Sequence, residues 1–222
     1  MKKIFVPLIT VQGLLFLGAL SASASPPATQ QVFDFTVFMD GDVVGQHVFR
    51  VDSSETAKKV HSEAAFNVKF LMINAYRYQH QANETWQDNC LTSIEAITHD
   101  NGKDSLVEGQ SKGNEFLLRR DRDQETLPSC IMTFAYWNPL MLKQSRLLNP
   151  QTGEYLDVAI TPKGLDKVAV KGSETSAHRY HLKTREFDMD LWYADNGDWL
   201  ALDSRLEGGH LLTYRLGGPK TP

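Results

Sequence analysis

The sequence lacks most of the motifs that mark common enzymes and cofactor-binding proteins. It has no phosphate-binding glycine loop, no dinucleotide-binding fingerprint, and no Cys-x-x-Cys or His-x-x-x-His pair at metal-ligand spacing. Positive charge is also scarce, because 23 Lys and Arg residues stand against 27 Asp and Glu residues. Proteins that bind nucleic acid concentrate basic residues, so this composition argues against a nucleic-acid partner. We predict neither a cofactor nor a metal site.

Cysteine is nearly absent, since only Cys90 and Cys130 occur. Two cysteines in an exported protein favour one disulfide, which would close a loop of about 40 residues and stabilise the fold by roughly 4 kcal/mol. The alternative is that Cys130 is a nucleophile, but no protease or transferase signature surrounds it. We therefore predict a disulfide between the two residues.

Long hydrophobic runs are missing except at the N terminus. A basic start at Lys2 and Lys3 precedes an apolar run over residues 4–20, and a small-residue cleavage site ends at Ala24. This pattern is typical of a secretory signal peptide. A retained membrane anchor is the alternative, but Pro7 and two further residues interrupt the run. We predict cleavage after Ala24.

The rest of the chain, residues 25–222, contains no stretch that is apolar and long enough to span a bilayer. No cysteine directly follows the apolar run, so the acceptor of a bacterial lipoprotein anchor is missing. The length is sufficient for one buried core. We predict a single domain that is periplasmic or secreted.

Helical periodicity is also nearly absent, and a two-residue alternation of apolar and polar side chains replaces it. The alternation is clearest at residues 60–71, and Gly-containing turns follow at intervals, as at Asp40-Gly41-Asp42. About a dozen short strands are expected from this pattern. The predicted fold is all-β and mainly antiparallel, a barrel or curved half-barrel with one short helical plug or lid.

One strand, at residues 75–86, carries an unusual mixture of side chains on one face. The residues on that face are Tyr76, Tyr78, His80, Glu84 and Trp86. Aromatic walls with a few polar groups are typical of ligand pockets, whereas the alternative is ordinary cross-strand aromatic packing. His80 and Glu84 are about 13 Å apart along an extended strand, so they cannot bind one metal ion.

The alternation stops at residues 129–154, which we call the central segment. Asn138 and Pro139 together are typical of a helix start, and a short helix to about Gln144 is expected. The aromatic and apolar residues around this point would form a large exposed patch in a loop. The segment is therefore either buried in the core or placed as a lid over an apolar site.

Several strings resemble an uncharacterised family of exported bacterial proteins, the domain of unknown function 6134 family. The strings are F-A-Y-W-N-P at residues 134–139, L-L-N-P-Q-T-G-E at 147–154, A-H-R-Y at 177–180 and D-L-W-Y-A-D-N-G-D-W-L-A-L at 190–202. The resemblance implies a periplasmic β-rich protein without an assigned activity. The C-terminal hairpin is more loosely similar to the open barrels of periplasmic lipoprotein carriers, which is an analogy of fold.

We predict that the protein binds a lipid or another hydrophobic small molecule inside the barrel, without catalysis. The proposed walls are Tyr78, Trp86, Tyr136, Trp137, Leu140 and Met141. One alternative is a periplasmic enzyme acting on a hydrophobic substrate, for which the acid–base candidates are His80, Glu84 and His178. The other is an envelope assembly or interaction protein that uses strand edges and the central segment as a contact surface.

Overall fold

The fold is described from a computed structural model, which describes residues 29–70 and 73–218. The predicted signal peptide at residues 1–24 lies outside this part of the chain. The strands are β1 Thr29–Met39, β2 Asp42–Ser53, β3 Ala57–Phe70, β4 Ile73–Gln87, β5 Cys90–Asp100, β6 Lys103–Lys112, β7 Glu115–Arg120, β8 Asp123–Pro128, β9 Arg146–Leu148, β10 Tyr155–Asp157, β11 Ala159–Val170, β12 Ser173–Lys183, β13 Asp188–Tyr193, β14 Trp199–Arg205 and β15 Leu211–Leu216. Two short 3₁₀ helices, Pro139–Lys143 and Glu207–Gly209, are the helices of the described chain.

Thirteen strands form one antiparallel sheet in the order β11-β12-β13-β14-β15-β1-β2-β3-β4-β5-β6-β7-β8. Neighbours in the sheet are neighbours in sequence, except that β15 pairs with β1 and joins the two halves of the chain. The end strands β8 and β11 do not pair with each other, so the sheet is curved but not closed. The prediction of an all-β, mainly antiparallel half-barrel is confirmed.

The tight turns follow from residues that tolerate a left-handed backbone. Asn101 and Gly102 have φ angles of 46° and 89° between the paired residues Asp100 and Lys103. A two-residue connection with positive φ at both positions matches the twist of the flanking strands, which explains the Asn-Gly sequence. Asn101 and Gly102 thus form the tight turn of the β5–β6 hairpin.

Two strands differ from the sequence expectation. The edge strand β8 was not predicted, because its residues Asp123–Pro128 are almost all exposed and show no apolar alternation. The sequence pattern predicts separate strands at residues 155–161 and 165–171. In the structure β10 ends at Asp157, and β11 continues from Ala159 to Val170 with a register shift between Pro162 and Gly164. A β-bulge accommodates Pro and Gly without ending the strand.

The alternating apolar face of the sheet forms one large core on the concave side. Phe35 and Trp199 lie at its centre with ring centroids 4.0 Å apart. A second, smaller core lies where the β11–β12 hairpin folds against the outer face of β13 and β14. It contains Val168, Ala177, Trp192, Leu200 and Ala201. The β11–β12 end of the sheet therefore packs against neighbouring strands and does not pair with β8 to close a barrel.

The central segment begins at the predicted disulfide, which the structure contains between Cys90 and Cys130. The backbone N–H of Leu91 donates to the carbonyl of Ile131 at 3.0 Å, so the segment leaves directly from the start of β5. The predicted helix is present as a 3₁₀ helix, and the Asn138 side chain accepts a hydrogen bond from the Leu140 N–H. The segment then returns through β9 and β10.

Candidate functional site

The concave face of the sheet encloses a cavity of about 1060 Å³. Pockets for small-molecule ligands have volumes of about 300–1,000 Å³, so this space is large enough for such a molecule. Its walls come from β2, β3, β4, β13, β14 and β15 and from the central segment. They include Val44, His47, Phe49, Val60, Ser62, Phe66, Tyr76, Tyr78, His80, Ala82, Glu84, Thr133, Phe134, Ala135, Tyr136, Trp137, Gln151, Met189, Leu202, Ser204, Leu212 and Tyr214.

The central segment closes one end of the cavity. Trp137 packs edge-on against Trp86 of β4, with ring centroids 5.4 Å apart. On the opposite side the Tyr193 hydroxyl of β13 donates to the carbonyl of Tyr136 at 2.9 Å. The segment thus spans the space between β4 and β13, and it covers this end with buried side chains.

The other end of the cavity is open, and we call it the mouth. Its lining includes residues that are exposed to solvent, namely Asp40, Asp42, Asp100, Leu206 and His210. These residues lie at the β1–β2 turn, the end of β5 and the β14–β15 connection. His210 Nδ1 lies 2.6 Å from a carboxylate oxygen of Asp40, and hydrogen bonds from the Leu211 N–H and from His210 lower the pKa of Asp40.

Two histidines face the middle of the cavity from alternate strands. Strand pairing places His47 of β2 opposite Ala64 of β3, and Ala64 opposite His80 of β4. The small Ala64 side chain between them leaves space on the concave side. At about 4.8 Å per strand, the two histidine backbones are roughly 10 Å apart.

The hydrogen bonds of His80 fix its tautomer. The Thr98 hydroxyl donates to the Gln151 carbonyl at 3.2 Å, so its oxygen accepts from His80 Nδ1, which lies 2.9 Å away. The proton is therefore on Nδ1, and Nε2 carries a lone pair. Burial lowers the pKa of His80 to about 4, so the ring is neutral at neutral pH.

Two other buried groups lack a hydrogen-bond partner. His47 Nε2 contacts the Ser62 hydroxyl at 2.8 Å, but its Nδ1 is buried without a partner, and so is the Tyr78 hydroxyl. Burial lowers the pKa of His47 well below its usual value, with a smaller contribution from nearby His80, and raises that of Tyr78. Because a buried polar atom without a partner costs about 1–3 kcal/mol, such atoms in a cavity wall are candidates for ligand contacts.

Glu84 lies near the closed end of the cavity and is 7% exposed. Burial raises the pKa of this carboxyl group to about 7, although hydrogen bonds from Trp86 and Thr133 act in the opposite direction. The indole N–H of Trp86 donates to it at 2.9 Å. Glu84 can therefore change its protonation state near neutral pH.

Three of the six predicted wall residues line the cavity: Tyr78, Tyr136 and Trp137. The other three do not reach it. Trp86 is buried behind Trp137, Met141 is fully buried in the core, and Leu140 is 37% exposed on the outside. Most of the central segment from Tyr136 onward is buried or half-buried, so it offers little free contact surface.

The three acid–base candidates do not converge. His80 and Glu84 line the same cavity, but the four-residue spacing along β4 separates them by about 13 Å. His178 lies outside the cavity, where its Nε2 contacts the exposed Asp195 at 2.9 Å.

Residues 109–113 match the Gly-x-Ser-x-Gly string of the nucleophile elbow. They lie at the end of β6 and in the turn to β7, and not between a strand and a helix, so they do not form such an elbow.

His47 was missed at the level of the sequence, although a signal for it exists. It alternates with Phe49 and Val51, which places it on the apolar face of β2. Its position beside His80 depends on the register of three strands, which the local pattern does not determine.

The described residues contain no group of three or more His, Cys, Asp and Glu side chains suited to a metal ion. Within that part of the chain, no helix is long and apolar enough to cross a membrane.

The chain belongs to the DUF6134 family. The family profile of the domain of unknown function DUF6134 matches residues 35–217, which includes every wall of the cavity. This confirms the resemblance carried by the motifs of the central segment and the C-terminal hairpin. The search of curated proteins found no match.

A solved structure is similar in fold. It is the crystal structure of a beta-barrel-like protein of the domain of unknown function DUF1849 from Brucella abortus, with a TM-score of 0.60. The sequences are 8% identical, and the match covers 85% of this chain and 95% of that one. At this identity the likeness concerns the fold alone, and it agrees with the open barrel-like sheet.

Proposed function

We propose that the protein binds a lipid or another hydrophobic small molecule in the cavity on the concave face of the sheet. The observation that carries this proposal is the combination of a cavity of about 1060 Å³ with aromatic and aliphatic walls and buried polar atoms that have no partner. Apolar walls supply affinity, and a few placed polar groups supply orientation. Binding of this kind requires no reaction.

We further propose that the protein acts in the periplasm or outside the cell. The basic and apolar sequence at residues 1–24 supports export. The disulfide between Cys90 and Cys130 is consistent with an oxidising compartment. Exported carriers of hydrophobic molecules need an enclosed apolar space, because their cargo is poorly soluble in water.

The full-length chain should be expressed with its own N-terminal segment, purified from the periplasm without detergent, and analysed by native mass spectrometry. We expect a co-purifying hydrophobic molecule, identified after solvent extraction. A protein that is reproducibly empty under these conditions, and that fails to bind a fluorescent apolar probe, would contradict the proposal.

A pair of matched variants tests whether the cavity is the binding site. Ala82→Phe places a ring into the cavity, whereas Ala65→Phe adds the same ring on the exposed outer face of β3. We expect the first to weaken binding of N-phenyl-1-naphthylamine by about tenfold or more, and the second to leave it unchanged. Thermal melts of both variants show whether the larger residue has disturbed the fold. Equal affinities in folded variants would place binding elsewhere.

An enzyme acting on a hydrophobic substrate is the second candidate, and the state of Glu84 favours it. A carboxyl group whose pKa burial raises to about 7 can donate or accept a proton near neutral pH. The group would act without His80, which is too far along β4. Turnover of a long-chain ester that disappears in Glu84→Gln would support this candidate, whereas unchanged turnover would exclude this role for Glu84.

A further inference from the structure

Four carboxyl groups line the cavity wall, and in the described part of the chain only one of them, Asp40, has a histidine beside it there, His210, with Nδ1 2.6 Å from the carboxylate. Asp40, Asp42, Glu84 and Asp100 line the cavity, whereas no Lys or Arg among the described residues does. The histidines in the middle, His47 and His80, are neutral because burial lowers their pKa values. The field inside the cavity therefore favours positive charge and disfavours negative charge.

The four carboxyl groups are distributed along the cavity. Asp40, Asp42 and Asp100 are exposed at the mouth, and Glu84 is buried at the closed end. Tyr78 lies near the mouth, and Glu84 follows it six residues later on β4. This spacing corresponds to about 20 Å along the strand. The acidic groups at the mouth can attract a cation from solution, and Glu84 can pair with it at the base.

Glu84 has no positive partner among residues 29–70 and 73–218. Its neighbours across the ladder are Val60 of β3 and Ile94 of β5, and its hydrogen bonds come from Trp86 and Thr133. The cation on the same face, Lys58, lies over the Trp137 ring at 5.6 Å and donates to Asn89. A buried carboxylate without a countercharge is costly, so a ligand cation would complete this site.

The remaining wall fits the uncharged part of such a ligand. The rings of Phe66 and Tyr78 are stacked with their centroids 5.1 Å apart, and the ring centroids of Tyr136 and Trp199 are 4.9 Å apart. Aromatic faces attract organic cations as well as alkyl chains. The Tyr78 hydroxyl and His47 Nδ1, both buried by more than nine-tenths and without partners, are independent indications that a ligand with polar atoms enters this space.

We infer that the ligand is an elongated hydrophobic amine whose positively charged group pairs with Glu84 at the closed end of the cavity, and that anionic lipids such as fatty acids are rejected. This inference deepens the proposed function and depends on it. The positive end approaches through the acidic mouth, and the apolar body lies against the aromatic walls.

Three compounds with the same ten-carbon chain test the sign of the preferred charge. Decylamine, decan-1-ol and decanoate carry a positive, a neutral and a negative group, and isothermal titration calorimetry at about pH 8 gives their dissociation constants. We expect decylamine to bind about tenfold or more tightly than decanoate, with decan-1-ol between them. Decanoate binding as tightly as decylamine would overturn the inference and leave hydrophobic binding intact. If none of the three binds, the proposed function falls as well.

Matched variants then locate the charge that selects the ligand. Glu84→Gln should reduce the preference for decylamine over decan-1-ol to within about threefold, while binding of the alcohol persists. Glu63→Gln removes a carboxylate from the exposed face of β3 and should leave the preference unchanged. An unchanged preference in folded Glu84→Gln would overturn the pairing with Glu84. In the wild type, the preference should increase between about pH 5.5 and 8 as Glu84 ionises, which is a second measurement that needs no variant.

Discussion

Buried acids occur on both faces of the sheet, but their surroundings differ. On the outer face, Asp190 of β13 is 2% exposed and accepts hydrogen bonds from Arg179 at 2.9 Å and from Arg205 at 3.1 Å. His181 also contacts its carboxylate at 3.1 Å. Burial alone would raise the pKa of Asp190, but these three partners lower it below its usual value. On the inner face, Glu84 has two neutral donors and an elevated pKa of about 7.

The difference separates a structural acid from a candidate binding group. The charge on Asp190 is neutralised within the protein, so the outer cluster needs nothing from solution and links β12, β13 and β14. The charge on Glu84 is balanced only by protonation or by a ligand. Burial therefore identifies neither role by itself, and the partners of the buried group decide between them.

Removing the disulfide should have the largest effect and should act on the inner face. With Cys90 and Cys130 both replaced by Ala, the chain loses a crosslink spanning 40 residues of sequence, which corresponds to about 4 kcal/mol in the free energy of unfolding. Because the crosslink holds the start of the central segment, binding of N-phenyl-1-naphthylamine should weaken too. Urea denaturation and probe titration measure the two effects.

A reducing agent provides the control for this experiment. The wild type under reducing conditions should match the double variant, and the variant itself should not respond to the reductant. Wild-type stability and binding that are both insensitive to complete reduction would contradict the role assigned to the crosslink.

Asp190→Ala should break the outer cluster. The change removes the acceptor of Arg179 and Arg205, whose side chains are 34% and 52% exposed and can regain contact with water. We expect a loss of about 3 kcal/mol in the free energy of unfolding, at the low end for a broken buried ion pair. Asp188→Ala removes a 40% exposed partner of Arg205 and should cost less than about 1 kcal/mol. Ligand affinity of the folded protein should not change in either variant.

Glu84→Gln should stabilise the ligand-free protein at neutral pH, whereas Asp190→Ala should destabilise it. The pKa of the Glu84 carboxyl group is about 7 in the folded protein and 4.5 when the group is not buried, as in the unfolded chain. Folding therefore favours the protonated form. The contribution of Glu84 to wild-type stability therefore falls as the pH rises from about 4.5 to 7 and is constant above, with a total loss of about 3 kcal/mol. Glutamine keeps an acceptor for Trp86 without this loss.

The measurement is the difference in unfolding free energy between ligand-free wild type and Glu84→Gln across this range. We expect the variant to be more stable by about 3 kcal/mol at pH 8 and equal to the wild type below about pH 4.5. His80, whose pKa is about 4, destabilises both proteins as the pH falls below 6.5, so only the difference is informative. A variant that is less stable than the wild type at pH 8 would contradict the uncompensated burial of Glu84.

Much of this inner face could be predicted from the sequence. The alternation at residues 75–86 correctly placed Tyr78, His80 and Glu84 on one buried face, because the two-residue period of a strand is a local property. The Asn138-Pro139 helix start was also correct for the same reason. Local patterns fix which side of a strand a residue occupies.

The arrangement across strands could not be predicted in the same way. His47 and His80 come together only through the register of β2, β3 and β4. Trp86 and Met141 were expected in the cavity wall, but the packing of the central segment places them behind it. The outer cluster around Asp190 depends likewise on pairing between β12, β13 and β14. These contacts are set by the curvature of the whole sheet and not by any local pattern.

The smallest effect is expected for two buried tyrosines, of which only one has a hydrogen-bond partner for its hydroxyl group. The Tyr78 hydroxyl in the cavity has no partner, whereas the Tyr193 hydroxyl donates to the Tyr136 carbonyl at 2.9 Å. Tyr78→Phe should therefore be neutral or stabilise the ligand-free protein by up to about 1 kcal/mol, and Tyr193→Phe should destabilise it by about 1 kcal/mol. Both changes remove one oxygen and leave the ring, so chemical denaturation compares them directly. If Tyr78→Phe destabilised the ligand-free protein as much as Tyr193→Phe, its hydroxyl would have a partner within the fold, and it would no longer indicate a polar ligand.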